Sequence, residues 1–327
     1  MIFTSFSLAI LQPSVVCLGA GGFGTSTSED DSFAMLDAFA EAGGNFADSA
    51  HIYAAWLEDG AGKSERTLGN WLRSRKPENF IVGTKGGHPH LESMEISRLS
   101  PEEIAGDLTE SLERLQRDQI ELYWLHRDDP QIPVGEIIDA LTVHVRTGQV
   151  LSLGASNWST PRIDAANIYA AKNGLTGFCA SQIGWSLAEV NAQMRGANGM
   201  VEMDETILAW HRKTGFPNAA YSSQANGFFA HPLTEEYGEM TPKQKALAPA
   251  YWHSKNILRY QRAQELGARL KRSTHEVALA YVWSQTFPGV AIIGPRNLQQ
   301  LRESLAVANL KLSSEEISFL ETGAPIS

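Results

Sequence analysis

Four residues of types that can move or steer a proton stand in order along the chain: Asp48, Tyr53, Lys85 and His126. Reducing a carbonyl requires a hydride on carbon and a proton on oxygen. A phenol such as Tyr53 gives that proton near neutral pH if its pKa falls well below the ordinary value of about 10. An ammonium at Lys85 would favour the phenolate, Asp48 would hold the lysine, and His126 would orient and polarise the carbonyl oxygen. Each residue alone reads more simply: a loop tyrosine as packing, a Lys–Asp pair as a structural ion pair, a strand-end histidine as a hydrogen-bonded group. What shifts the balance is that all four fall at, or just beyond, the ends of successive predicted strands.

Those strands are short apolar or β-branched runs at 15–18, 45–48, 80–85, 120–125, 150–154, 178–182, 217–221 and 290–293, each followed by a helical pattern. Eight strand–helix alternations predict a closed parallel (β/α)8 TIM barrel, a single α/β domain over residues 1–327. In such a barrel the strand ends converge on one mouth, so residues far apart in sequence meet there. The helix starts are explicit. Ser100-Pro101-Glu102-Glu103 combines an N-cap, a proline in the first turn and a capping-box glutamate. Ser273 with Glu276 and Ser313 with Glu316 repeat the box, Thr160-Pro161 opens another helix, and Gly43 closes the first, whose apolar stripe includes Phe33, Leu36 and Ala40. After the seventh strand a long loop, about 222–256, is expected to lie over the active face, and the tail after Asn309 reads as one extra helix.

The bulk numbers fit one large domain. Hydrophobic residues make up 43% of 327 and charged residues 20%, and the net charge of -10 argues against a nucleic-acid groove. Cys17 and Cys179 stand alone in apolar stretches, which suggests buried reduced thiols rather than a disulfide or metal site. The first basic residue is Lys63, so the N-terminus lacks a secretory pattern; no run is long and apolar enough for a membrane span, and the cytoplasm is the expected location.

Two other chemistries compete. Gly19, Gly21 and Gly24 spell a dinucleotide-binding G-x-G-x-x-G after a strand, with Asp48 near the position of a ribose ligand. That motif requires a helix at once, to hold the pyrophosphate, and residues 25–31 intervene. The glycines, Gly22 among them, are better read as a loop at the barrel mouth where a cofactor can come close. A hydrolase or lyase on the same barrel would need paired carboxylates or metal ligands, and Asp48 has no evident carboxylate partner.

Residues 45–53, Asn-Phe-Ala-Asp-Ser-Ala-His-Ile-Tyr, followed by Gly62-Lys63-Ser64-Glu65, resemble the signature region of the aldo-keto reductases. Leu112-Glu113-Arg114-Leu115 leading to Leu122-Tyr123-Trp124-Leu125-His126-Arg127, and Gly154-Ala155-Ser156-Asn157-Trp158, are similar to further stretches of that family. The resemblance spans nearly the whole chain. It implies a (β/α)8 barrel binding NADP(H), with NAD(H) as the alternative, and Asp48, Tyr53, Lys85 and His126 as the catalytic set. It also implies that Ser156, Asn157 and Gln182 hold the nicotinamide carboxamide and that Tyr221 stacks on the ring. Ser222 with its neighbours through Gln224 would take the pyrophosphate. Gly294, Arg296, Gln300 and Ser304 would meet the adenosine end. Members preferring NADPH often carry lysine where Gly294 stands and arginine where Gln300 stands, which leaves Arg296 as the candidate for the 2′-phosphate. Residues before Val15 match the family's N-terminal hairpin poorly, and the short C-terminal tail looks like the bacterial branch.

The substrate wall is expected from Phe23, Trp56, Arg127 and Trp158, within an aromatic set that adds Trp124 and Trp252. The expected partner is a small carbonyl or sugar-type substrate, with no nucleic acid, membrane or metal. The remaining alternative is a non-catalytic nicotinamide-binding regulatory subunit, which the intact set of four argues against.

Overall fold

The computed structural model describes residues 1–6, 11–196, 199–233 and 240–326. Eight parallel strands close into a barrel in chain order. They are β1 (Val16–Gly19), β2 (Phe46–Asp48), β3 (Ile81–Gly86), β4 (Ile120–Leu125), β5 (Val150–Ser156), β6 (Phe178–Gly184), β7 (Asn218–Tyr221) and β8 (Gly289–Ile293). Every predicted strand is present, with ends shifted by no more than two residues. The shifts at β5 and β6 matter, because they bring Ser156 and the residues after Gln182 onto the strands. Ser156 pairs level with Gln182, while Lys85 stands two residues beyond Gly83, the partner of Asp48, and Ser156 two beyond Gly154, the residue level with Trp124, so the polar residues of four strands all fall near the C-terminal strand ends.

Helices cover the outside: α1 (Glu29–Glu41), α2 (Lys63–Arg75), α3 (Pro101–Leu115), α4 (Val134–Arg146), α5 (Thr160–Asn173), α6 (Glu205–Thr214), α7 (Pro242–Tyr251), α8 (Ser254–Leu270), α9 (Thr274–Trp283), α10 (Leu298–Leu305) and α11 (Ser314–Thr322). The capping boxes at Ser100, Ser273 and Ser313 form with both reciprocal bonds. Gly43 follows α1 at φ +84, the left-handed turn that favours glycine. The buried centre of α1 is Met35, Leu36 and Phe39, with Phe33 and Ala40 at its margin.

Two apolar layers result. The outer one, between helices and sheet, holds most of the core. The inner one fills the barrel and includes Cys17, Phe46, Ile81, Leu122, Trp124, Cys179 and Val290, so the interior is packed and only the mouth is available for chemistry. Trp124 therefore belongs to this filling and not to the mouth. A Cβ at Gly154 would fall 2.1 Å from its ring, so only glycine leaves the indole room. The segment ahead of β1 closes the floor despite its poor match to a hairpin. Phe3 bridges Ser14 antiparallel, Thr4 N donates to Pro13 O, and Phe6 enters the inner layer edge-on to Phe46.

The connection after β7 is more ordered than a loop. It carries a 3-10 turn at Ala225–Ala230 and then α7, opened by a capping box at Thr241 with Pro242 in the first turn. Part of the expected loop, 234–239, lies outside the described residues. No helix among the described residues is long and apolar enough to cross a membrane.

Candidate active site

Lys85 organises the mouth. Its ammonium donates to Asp48 Oδ2 at 2.5 Å, to the Ser49 carbonyl at 2.6 Å and to Tyr53 Oη at 2.9 Å. An ammonium has three donors, and all three are used. The Tyr53 oxygen is thus an acceptor toward Lys85, and its own proton is left to face elsewhere. Asp48 Oδ1 in turn accepts from Gln182 Nε2 at 3.0 Å. Asp48, Lys85 and Gln182 are almost wholly buried, so this is a desolvated cluster in which each charge meets its complement.

Burial pulls the Lys85 pKa down, but Asp48 and Tyr53 outweigh it and raise the value, so the ammonium persists. Burial pushes the Tyr53 phenol up; Lys85 pulls it back only in part, and Asp48 opposes that pull. The sequence reading anticipated a depressed phenol, and in the free site the opposite holds, because the desolvation cost of a buried phenolate exceeds the help of one ammonium already shared with Asp48. The phenol therefore rests protonated. His126, the residue after β4, is held well below the ordinary histidine range, first by burial and then by Lys85. Its ring lies edge-on to Tyr53 with centroids 5.9 Å apart, and its buried Nδ1 has no hydrogen-bond partner.

A cleft of about 600 Å3 runs from this cluster across the top of β1, β7 and β8. It is lined by Asp48 and Tyr53 at one end, by Gly22, Phe23, Tyr221, Ser222 and Gln224 along its length, and by Gly294, Arg296, Gln300 and Ser304 at the far end. A Cβ at Gly21 would stand 3.7 Å from the Tyr53 ring, inside the cleft, whereas one at Gly294 would meet open space. An elongated anionic cofactor fits these features. Open space lies over Gly294, and Arg296 and Lys243 bring positive charge to the passage. Gln224 Nε2 donates to Ser304 Oγ at 3.0 Å, and Gln300 Oε1 accepts from the Arg296 amide at 2.9 Å, so the far end is tied across from β7 to α10.

Ser156, Asn157 and Gln182 stand together, buried beside the cluster. Asn157 adopts φ +60, which turns its side chain inward. There Nδ2 donates to Ser156 Oγ and to the His126 carbonyl, both at 3.2 Å. Its Oδ1 accepts from the Val201 amide at 3.0 Å and from Tyr221 Oη at 2.8 Å. Trp56 is exposed in the loop that follows Tyr53, and Arg127 is half-buried beside His126.

Trp158, expected on the substrate wall, does not line this cleft. It is buried against Phe178, with the Arg162 guanidinium over its ring, and its Nε1 donates to the Arg127 carbonyl at 3.1 Å. The indole finds its hydrogen-bond partner inward and so fastens the β4 loop from below. Trp252 packs instead on Phe228, 5.0 Å between centroids.

Sequence reading missed three groups here. His88, two residues past β3, sits 4.8 Å from the His126 ring, with burial lowering its pKa. Its signal was its place after Gly86-Gly87 at a strand end. Lys243 and His275 line the cleft from α7 and α9. Lys243 follows Thr241-Pro242, a helix start of the same kind as Ser100-Pro101. No group of three metal-binding side chains occurs among the described residues.

The family model described as "Aldo/keto reductase family" matches residues 15–322. Among similar curated proteins, an uncharacterized oxidoreductase, YrpG, of Bacillus subtilis (strain 168) is 30% identical, over 98% of this chain and 95% of the relative. Norsolorinic acid reductase B of Dothistroma septosporum is 29% identical, over 97% and 80%. A probable aryl-alcohol dehydrogenase, AAD4, of Saccharomyces cerevisiae is 26% identical, over 92% and 89%. The crystal structure of a thermostable aldo-keto reductase with the inhibitor epalrestat superposes with a TM-score of 0.71 at 19% identity, covering 98% of this chain and 99% of that one, a likeness of fold.

Proposed function

The chain belongs to the aldo/keto reductase family, and from that premise we propose that it reduces an aldehyde or ketone, or oxidises the matching alcohol or lactol, with NADP(H) as cofactor and Tyr53 as the proton donor. The family and its oxidoreductase relatives support carbonyl reduction in general. The observation that carries the finer reading is the saturated ammonium. Because Lys85 spends one of its three donors on Tyr53 Oη, the tyrosine's own proton is free for a substrate oxygen.

The nicotinamide cofactor, when bound, supplies the hydride. The rest falls to the chain. Tyr53 gives its proton to the carbonyl oxygen, and Lys85 faces the phenolate left behind inside a dry pocket, where a fixed charge acts strongly. Asp48 and the Ser49 carbonyl hold the ammonium in place throughout. His126, kept neutral, has one ring N–H to orient the carbonyl oxygen. Ser156, Asn157 and Gln182 would hold the carboxamide, Tyr221 the ring face, and Ser222 and Gln224 the pyrophosphate. Arg296, exposed above Gly294, would take the 2′-phosphate, with Lys243 as a second cation on the cleft. Cys17 and Cys179 are free thiols, in keeping with a reducing compartment such as the cytoplasm.

A titration of intrinsic tryptophan fluorescence with NADPH, and separately with NADH, tests this reading. Saturable quenching, stronger for NADPH, is expected, and Arg296→Leu should narrow the difference between the two. Binding of NADH alone would overturn the cofactor choice, and binding of neither would end the nicotinamide reading.

A further inference from the structure

We infer that Arg127 makes the site selective for carbonyl substrates that carry a carboxylate, an inference that rests on the reductase reading above. Of the basic side chains around the mouth, three are held by acids. Lys85 has Asp48, Arg98 has Asp107 at 2.6 Å, and Arg162 has Asp128 at 2.8 Å. Arg127 has none among the described residues. Its Nη1 donates to the adjacent His126 carbonyl at 3.1 Å, its buried Nε finds no acceptor, and its Nη2 makes no hydrogen bond to any described residue. Burial pulls its pKa down, and the Nη1 contact holds the guanidinium against His126, whose ring lies edge-on to Tyr53.

The surroundings keep it there. The Arg127 carbonyl is tied by Trp158, and Asp128, the nearest acid in sequence, is taken by both Nε and Nη2 of Arg162 at 3.0 and 2.8 Å. From the other side Gly199 closes over the side chain, since a Cβ there would come 3.9 Å from Arg127 Cδ and Nε. A half-buried guanidinium with a desolvated Nε and no counter-charge is costly, and a planar anion that fills its open donors lowers that cost. One arginine balances one negative charge, which fits a carboxylate better than a dianionic phosphate. Tyr53 and His126 would take the carbonyl oxygen while Arg127 takes the far end of the same molecule.

The test uses two pairs of aldehydes that differ in the acid group: succinic semialdehyde against butanal, and para-carboxybenzaldehyde against para-tolualdehyde. The wild-type kcat/KM should favour the acid member of at least one pair about tenfold or more. Arg127→Leu should reduce that preference about 10- to 100-fold, the range of charge-assisted hydrogen bonds, and Arg127→Lys should keep part of it. The dissociation constant of the cofactor, measured on each variant, reports folding and shows where the loss falls. Turnover of the neutral aldehydes with no preference for the acids overturns this inference and leaves the reductase intact. So does an equal loss on both members of each pair, or a loss confined to cofactor affinity. Turnover of none of the four aldehydes would overturn the reductase reading, and this inference with it.

Discussion

The two sides of the barrel mouth are built on opposite plans. Around Lys85 on the β2–β3 side the charged groups are matched: Lys85 with Asp48, Ser49 and Tyr53, and Gln182 with Asp48. On the β4 side polar atoms are buried without partners, His126 Nδ1 and Arg127 Nε among them. Satisfied buried groups fix a geometry, whereas unsatisfied ones hold desolvation free energy that a ligand can recover. The first side reads as the part that positions the proton and the second as the part that waits for the substrate.

Stability measurements separate the two plans. Lys85→Met should have the largest effect, stranding Asp48 as an unpaired buried carboxylate at a cost of about 3–5 kcal/mol in urea unfolding. An unchanged midpoint would mean that the pair is not buried as described. Acid comes next. Burial lowers His211 to about 4 and holds His126 well below the usual range. In both cases the folded state refuses a proton that the unfolded chain accepts below about 6.5. Their contribution is complete above that pH and is lost as the pH falls, with His211 giving up about 3 kcal/mol on reaching its folded pKa. A flat stability profile between about pH 6.5 and pH 4 would contradict it. Gln182→Leu, which leaves Asp48 Oδ1 without its donor, should cost about 1–3 kcal/mol. Arg127→Leu sits at the other end of the comparison. Removing a half-buried cation that no acid among the described residues holds should leave the unfolding midpoint unchanged or raise it, and a loss as large as that of Lys85→Met would erase the distinction between the two sides.

Much of this was legible in the sequence because it is local. Strand and helix starts follow from apolar runs, capping boxes and the prolines after Ser100 and Thr160, and closure of the barrel carries strand-end residues to one mouth. The same signal at Thr241-Pro242 marked α7, yet the length of the connection drew it into a loop reading. What the sequence hid depends on partners far along the chain. Trp158 looked like a mouth aromatic because nothing local says that its indole bonds inward and its ring meets Phe178. The Tyr53 pKa was expected to fall because Lys85 could be placed beside it, whereas the degree of burial and the sharing of Lys85 with Asp48 are properties of the packed molecule. The unpartnered state of Arg127 is likewise invisible until Asp128 is seen to belong to Arg162.

Tyr53→Phe tests the central claim most directly, because it removes the one oxygen that Lys85 holds toward the cleft and leaves the ring. Cofactor affinity, read by fluorescence, and the rate of aldehyde-dependent loss of reduced-nicotinamide absorbance should be measured on the same preparation. The account predicts that affinity is retained while kcat falls about 100- to 10,000-fold, the contribution of a positioned general acid. Wild-type turnover in the variant would contradict it and take the proton away from Tyr53.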